Sequence, residues 1–238
     1  MELEPFIFRH EGQVLAQRAR EADEQEELAG AVNRFALRPL ERAEYAVFTL
    51  DLCHNQIDRH HSRFPDEELE AISRMVVGRP LMERHDLHGS LPRGTFFRSS
   101  VHGEARRKSV RPDVYVLQTP ENASFILNIE GGVYRETSIG FSFKTPECSI
   151  CTKDLRACDH VPGRQYGDAT CHYVMREVLE VIEGSVVPAG SQGTQFVAAR
   201  HMAMVPGQPL PLNLALEIAR DQFHRPIELR PSRLWAAE

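Results

Sequence analysis

The chain has 238 residues, a net charge of −6, 42% hydrophobic and 26% charged residues, which suits one soluble domain of moderate size with extensions. The acidic balance gives no electrostatic reason to expect a nucleic-acid partner. No apolar run approaches the roughly 18 residues of a membrane helix, and Met1-Glu-Leu-Glu-Pro5 lacks the basic start and apolar stretch of a signal peptide, so a cytoplasmic setting is expected.

Residues 11–30 are rich in Glu, Gln, Ala and Arg with a thin apolar stripe, which predicts a solvated helix or a mobile arm. Ala46–Leu50 has β character, and a polar loop follows around Asp58 and Arg59. Pro65 opens a helix whose apolar positions are Leu69, Ile72 and Val76, and Gly78 ends it. Pro80–His85 reads as a short strand running into an Asp-, His- and Gly-rich turn. Arg106–Lys108 marks a turn between two strands, the second around Val114–Leu117. Thr119-Pro120-Glu121 is a helix start with a capping Thr, Phe125, Ile126 and Ile129 give that helix its buried face, and Gly131-Gly132 stop it. Val133–Phe143 is a strand with Ser138 in its middle. Residues 144–173 carry four of the five cysteines and little periodicity, Val174–Val187 is strand-like again, and the tail holds one helix over Leu214–Arg220. The sum is α+β, mostly β, with a few outer helices.

A serine nucleophile needs a base and a group that orients the base. Ser138 is followed by Ile139-Gly140-Phe141, and a glycine beside it allows the close backbone approach that an acyl group or oxyanion requires. Glu183 lies in an apolar strand, where period two places Val181, Glu183 and Ser185 on one face. A carboxylate on a buried face needs a partner, and His85 can supply it.

Four stretches in order resemble the prohead maturation proteases of tailed phages, which share the herpesvirus assemblin fold. They are Asp58-Arg59-His60 through Arg63-Phe64; Gly78-Arg-Pro80-Leu-Met-Glu-Arg-His85-Asp86 with Pro92-Arg93-Gly94; Gly132-Val133 through Ser138-Ile-Gly-Phe141; and Leu179 through Glu183-Gly-Ser185-Val-Val-Pro188-Ala189. The resemblance implies Ser138 as nucleophile, His85 as base and Glu183 as orienting acid, with Glu180 and Asp86 as rivals for the third place. It also implies an assemblin-like β-barrel with surrounding helices. Gly190 departs from the Asn that often follows Pro-Ala in that family and is read as a loop-shaping residue.

The cysteine-rich segment is absent from many members of that family. Cys148-Ser-Ile-Cys151 is a Cys-x-x-Cys pair, followed by Cys158, His160, Cys171 and His172. Clustered thiols in a reducing setting point to zinc rather than disulfides. Cys148, Cys151 and Cys171 are the favoured ligands, with Cys158 or His160 fourth, in a structural Zn2+ site that orders a zinc-knuckle insertion. His54, His60 and His61 fit no compact ligand pattern and read as surface loop residues, and Cys53 reads as a buried thiol.

The expectation is therefore an arm over 1–44, a protease domain over 45–210 with the insertion at 144–173, and a tail over 211–238. By the resemblance, the domain is a serine endopeptidase that processes the major capsid and scaffolding proteins, and itself. It would work in the host cytoplasm inside the assembling prohead, could be a homo-oligomer, and would bind no nucleic acid or membrane. The alternative is an inactive, zinc-stabilised structural or scaffolding component of the prohead. A zinc nuclease would need a basic face, which the net charge of −6 does not support.

Overall fold

A computed structural model describes residues 22–86, 89–104 and 106–200. Alternating hydrophobic runs become strands along most of this stretch, and helices form where apolar residues recur every three or four positions. In chain order the elements are α1 (Ala22–Asn33), β1 (Tyr45–Leu50), β2 (Cys53–His54), β3 (Ser62–Arg63), α2 (Asp66–Met75), β4 (Pro80–Glu83), β5 (Gly94–Glu104), β6 (Arg107–Leu117) and α3 (Pro120–Glu130). They continue with β7 (Glu136–Cys148), β8 (Gln165–Tyr166), β9 (Ala169–Thr170), β10 (Tyr173–Val187) and β11 (Phe196–Arg200). The architecture is mostly β, with three α-helices among the described residues.

Nine strands form one curled sheet in the order β11-β1-β6-β5-β4-β10-β3, with β2 paired to β6 and β7 paired to β10. β10 is the spine: it runs antiparallel to β7 over nearly its whole length and parallel to β4 and β3 on its other edge. The sheet curls into a half-barrel whose edge at β7 touches the segment before β11 at one corner. Glu136 bridges Gln195, Thr137 N–H donates to the Thr194 carbonyl at 2.8 Å, and Phe196 N–H donates to the Arg135 carbonyl at 3.1 Å. Inside the curl sits the main core, built on Phe48, Leu50, Phe64, Leu81, Phe96, Val114 and Val181.

The helices cover the outside of this core. α2 carries Asp66, Glu67 and Glu68 in its first turn, where the helix dipole favours acids, and buries Leu69 and Ile72 as expected. Gly78, at φ +87°, takes the left-handed conformation that turns the chain into β4. α3 starts at Pro120 as expected, but Thr119 occupies the cap position without a side-chain capping bond.

α1 departs from the expectation of a solvated helix. Leu28, Ala31 and Val32, at i, i+3 and i+4, are buried against Tyr45, Val47, Phe97 and Tyr115 in a second cluster. The stripe is thin, yet three small or branched residues fill one slot on the outer face of the sheet. Residues 1–21 and the expected tail helix over 214–220 lie outside the described residues. Among the described residues no helix is long and apolar enough to cross a membrane.

Candidate active site and metal centre

The β7–β10 ladder aligns Ser138 with Ser185 and Gly140 with Glu183. Directly paired residues share a face, so these four stand together on one side of the sheet. Period two alone would also put Val181 there, and the structure corrects that expectation. A β-bulge at Ile182 shifts the register between Val181 and Glu183, so Val181 pairs with Phe141 while Glu183 pairs with Gly140. Because Phe141 and Gly140 are neighbours on β7, Val181 stays with the core and Glu183 turns to the opposite face. Ser138 lies near the start of β7 rather than in its middle, because the strand continues to Cys148.

His85 reaches this face from the end of β4. Leu81, Met82 and Glu83 pair in parallel with Gly184, Ser185 and Val186, so β4 runs beside β10 and its end passes Glu183 before the chain turns back. Arg84 has φ +67°, a left-handed conformation uncommon for a residue with a side chain, and its N–H donates to the Val186 carbonyl at 2.9 Å. The chain turns there, and His85 Nδ1 comes to 2.6 Å from Glu183 Oε1. The Glu183 hydrogen bond raises the His85 pKa, burial opposes the rise, and the Glu183 charge adds to it. Ser185, fully buried, places its hydroxyl within hydrogen-bonding reach of the Arg84 carbonyl at 2.9 Å and of Glu183 Oε2. With Nδ1 engaged, Nε2 is the ring nitrogen left for proton transfer.

The rivals for the acid sit elsewhere. Glu180 is exposed and accepts from the Ser142 hydroxyl at 3.4 Å, and Asp86 accepts from Gly89 N–H at 2.6 Å. The Ser138 hydroxyl makes no side-chain hydrogen bond among the described residues. It stands diagonally across the ladder from Glu183, a spacing of about 7 Å between strand neighbours of that kind.

The outer motifs converge on the same end of the sheet. The Arg59 guanidinium donates to the Ala189 carbonyl at 2.7 Å and Arg59 N–H to the Ser191 carbonyl at 3.3 Å, tying the Asp58-Arg59 turn to the Pro188-Ala189 turn. Gly190 faces the Thr137 carbonyl so closely that a Cβ would lie 2.5 Å from its oxygen, in keeping with a loop-shaping residue. His54 corrects its surface reading: it is buried, with Nε2 2.9 Å from the Gln192 carbonyl. Cys53 is fully buried as expected, and burial pushes its thiol pKa up.

The insertion carries a second cluster. One ligand atom from each of Cys148, Cys151, Cys158 and His160 lies within 4.8 Å of the others, so the four can hold a metal ion. Ile150 N–H donates to Cys148 Sγ at 3.4 Å, the amide-to-sulfur contact expected where a Cys-x-x-Cys turn folds back on its first thiolate. Burial pushes the Cys148 thiol up, but N–H donors of Cys151 and Ile150 and the thiols of Cys151 and Cys158 outweigh it, leaving a pKa of about 7. His160 Nδ1 is buried without a hydrogen-bond partner, which a bound metal would relieve. The Tyr166 ring packs edge-on against His160 at 4.6 Å. Cys171, expected ahead of Cys158 and His160, flanks this group of four with its Sγ 4.0 Å from that of Cys148. Cys148 ends β7 and Cys171 stands two residues before β10, so the insertion joins the two strands that carry Ser138 and Glu183.

The chain matches no known protein family, no curated protein and no solved structure.

Proposed function

We propose that this protein is a serine endopeptidase of the kind that matures tailed-phage proheads, on an assemblin-like barrel. The observation that carries the reading is the 2.6 Å contact between His85 Nδ1 and buried Glu183, on the face that Ser138 shares. A chance His on a loop has no reason to meet a carboxylate that is 2% exposed and that a bulge turns toward it. The curl of the sheet, closed at Glu136–Gln195, supports the barrel assignment.

In this reading the Ser138 hydroxyl attacks the scissile carbonyl while its proton passes to His85 Nε2. The resulting imidazolium is held by Glu183 and gives that proton to the leaving amine, which departs as the acyl-enzyme forms. Water, deprotonated by His85, then releases the acid and restores Ser138. The general-base step supplies about 10² to 10⁴ in rate. Substrates are the major capsid and scaffolding proteins and the enzyme itself. The Cys148, Cys151, Cys158 and His160 group would hold a structural zinc through four protein ligands, ordering the insertion rather than taking part in the chemistry.

The test is co-expression of wild-type protein or Ser138→Ala with the neighbouring capsid and scaffold proteins. Processing by the wild type and none by the variant is expected. Equal processing by both overturns the assignment of Ser138.

A further inference from the structure

The seam that closes the sheet is short. β7 meets the segment before β11 at Glu136 and Thr137, and from Ser138 until Glu147 bridges Asp154 its outer edge has no strand partner among the described residues. A cavity of about 210 Å³ opens at that point, with Ser138 itself in its lining. Its wall is aromatic: the rings of Phe64 and Phe141 lie 4.8 Å apart, Phe141 and Phe143 stack at 5.8 Å, and Tyr173 and Met175 complete it. Asp58, His60 and Ser191 contribute polar groups to the lining. The Asp58 carboxylate already accepts from the N–H groups of His60 and Ser62 and from the Ser62 hydroxyl, so it is not an open charge awaiting a cation.

Along β7 the faces alternate. Ser138 and Gly140 take the side of Glu183, while Ile139, Phe141 and Phe143 pack toward the core side where the cavity lies. An extended peptide presenting a carbonyl to Ser138 alternates in the same way, so a neighbouring side chain faces the cavity. An apolar cavity of about 150 Å³ accepts a benzene ring, and the larger volume here accommodates a Phe, Tyr or Leu side chain.

We propose that this cavity is a specificity pocket for one large apolar side chain, preferentially aromatic, on a residue flanking the bond cut at Ser138. The proposal rests on the endopeptidase reading, and three measurements keep the two apart. Labelling of Ser138 by a fluorophosphonate reports the nucleophile alone. Digestion of a random peptide mixture, with cut sites mapped by mass spectrometry, reports the pocket: Phe, Tyr, Leu or Met should be enriched at one subsite. Ser191→Trp or His60→Trp, both at the cavity lining and outside the catalytic set, should reduce kcat/KM for those peptides by about tenfold or more while leaving Ser138 labelling intact. Labelling without any large apolar preference, or a preference that neither variant changes, overturns the pocket and leaves the protease. Absence of labelling counts against the protease, and the pocket is then judged by binding. N-acetyl-L-phenylalaninamide should shift the NMR signals of Phe141, Phe143 and Tyr173 in Ser138→Ala, whereas N-acetylglycinamide should not. No shift, or equal shifts from both amides, overturns the pocket.

Discussion

Gly140 faces Glu183 across the β7–β10 ladder so closely that a Cβ at residue 140 would lie 2.2 Å from Glu183 Oε1, the oxygen bound to His85. The glycine two residues after Ser138 thus makes room for the Glu183 carboxylate. The close approach and the bulge at Ile182 act together, one turning Glu183 out of the core and the other giving its carboxylate space.

Gly140→Ala should therefore push the carboxylate off His85. Overpacking of this kind costs about 1 to 3 kcal/mol. The expected result is a lower denaturation midpoint together with a His85 pKa that falls back toward its ordinary 6.5, read by NMR titration. A stable variant with an unchanged His85 titration would show that the contact does not depend on the glycine.

The His85–Glu183 pair has opposite consequences for stability and for rate. The folded His85 pKa is raised, so the pair's stabilisation is fully present below pH 6.5 and is lost as pH rises through the folded value. The side chain of His85 is 44% exposed, which keeps that contribution modest. In the proposed mechanism His85 acts as a neutral base, so kcat/KM should rise with pH through a midpoint above 6.5. Glu183→Gln should move that midpoint down toward 6.5 and lower the plateau by about 10² to 10⁴. A pH profile that keeps its midpoint in the variant contradicts the role of Glu183.

In the proposed mechanism Ser185 acts as a positioning residue, because its hydroxyl reaches both Glu183 Oε2 and the Arg84 carbonyl just before His85. Ser185→Ala should lower kcat about tenfold with KM unchanged and take away part of the upward shift at His85. Ser185→Thr should restore both. A fall in thermal stability with kcat and the His85 titration untouched would make Ser185 merely structural.

The metal group makes a prediction that separates its members. Purified protein never exposed to chelator should carry about one equivalent of zinc. Cys151→Ser and His160→Ala should reduce that content, whereas Cys171→Ser should retain most of it, since Cys171 only flanks the group of four. Chelation should lower the melting temperature by disordering the insertion between β7 and β10. Zinc below about a tenth of an equivalent in wild type would rule out the site.

The part of this geometry that is legible in the sequence is local. The Ser138-Ile-Gly-Phe run, the Pro80–His85 strand end and the Cys-x-x-Cys pair each announce themselves in a few adjacent residues. What was not legible depends on partners distant in sequence. Ile182 carries no mark of a bulge, so period two misplaced Val181 beside Glu183. The thin stripe Leu28, Ala31, Val32 looked too weak to dock, because the slot that receives it is built from β1, β5 and β6. His54 seemed a loop residue, because the chain that buries it lies 138 positions away at Gln192. Spacing alone does not rank Cys158, His160 and Cys171, whereas the turn at 154–160 brings Cys158 and His160 within 4.8 Å of Cys148 and Cys151.

Fluorophosphonate labelling followed by intact-mass and peptide-mass measurement tests the account most directly. Wild-type protein should gain one adduct, on Ser138, and Ser138→Ala should gain none, while His85→Ala should react far more slowly than wild type. No adduct on the folded wild type, or an equal adduct on Ser138→Ala, would contradict the claim that Ser138 is an activated nucleophile.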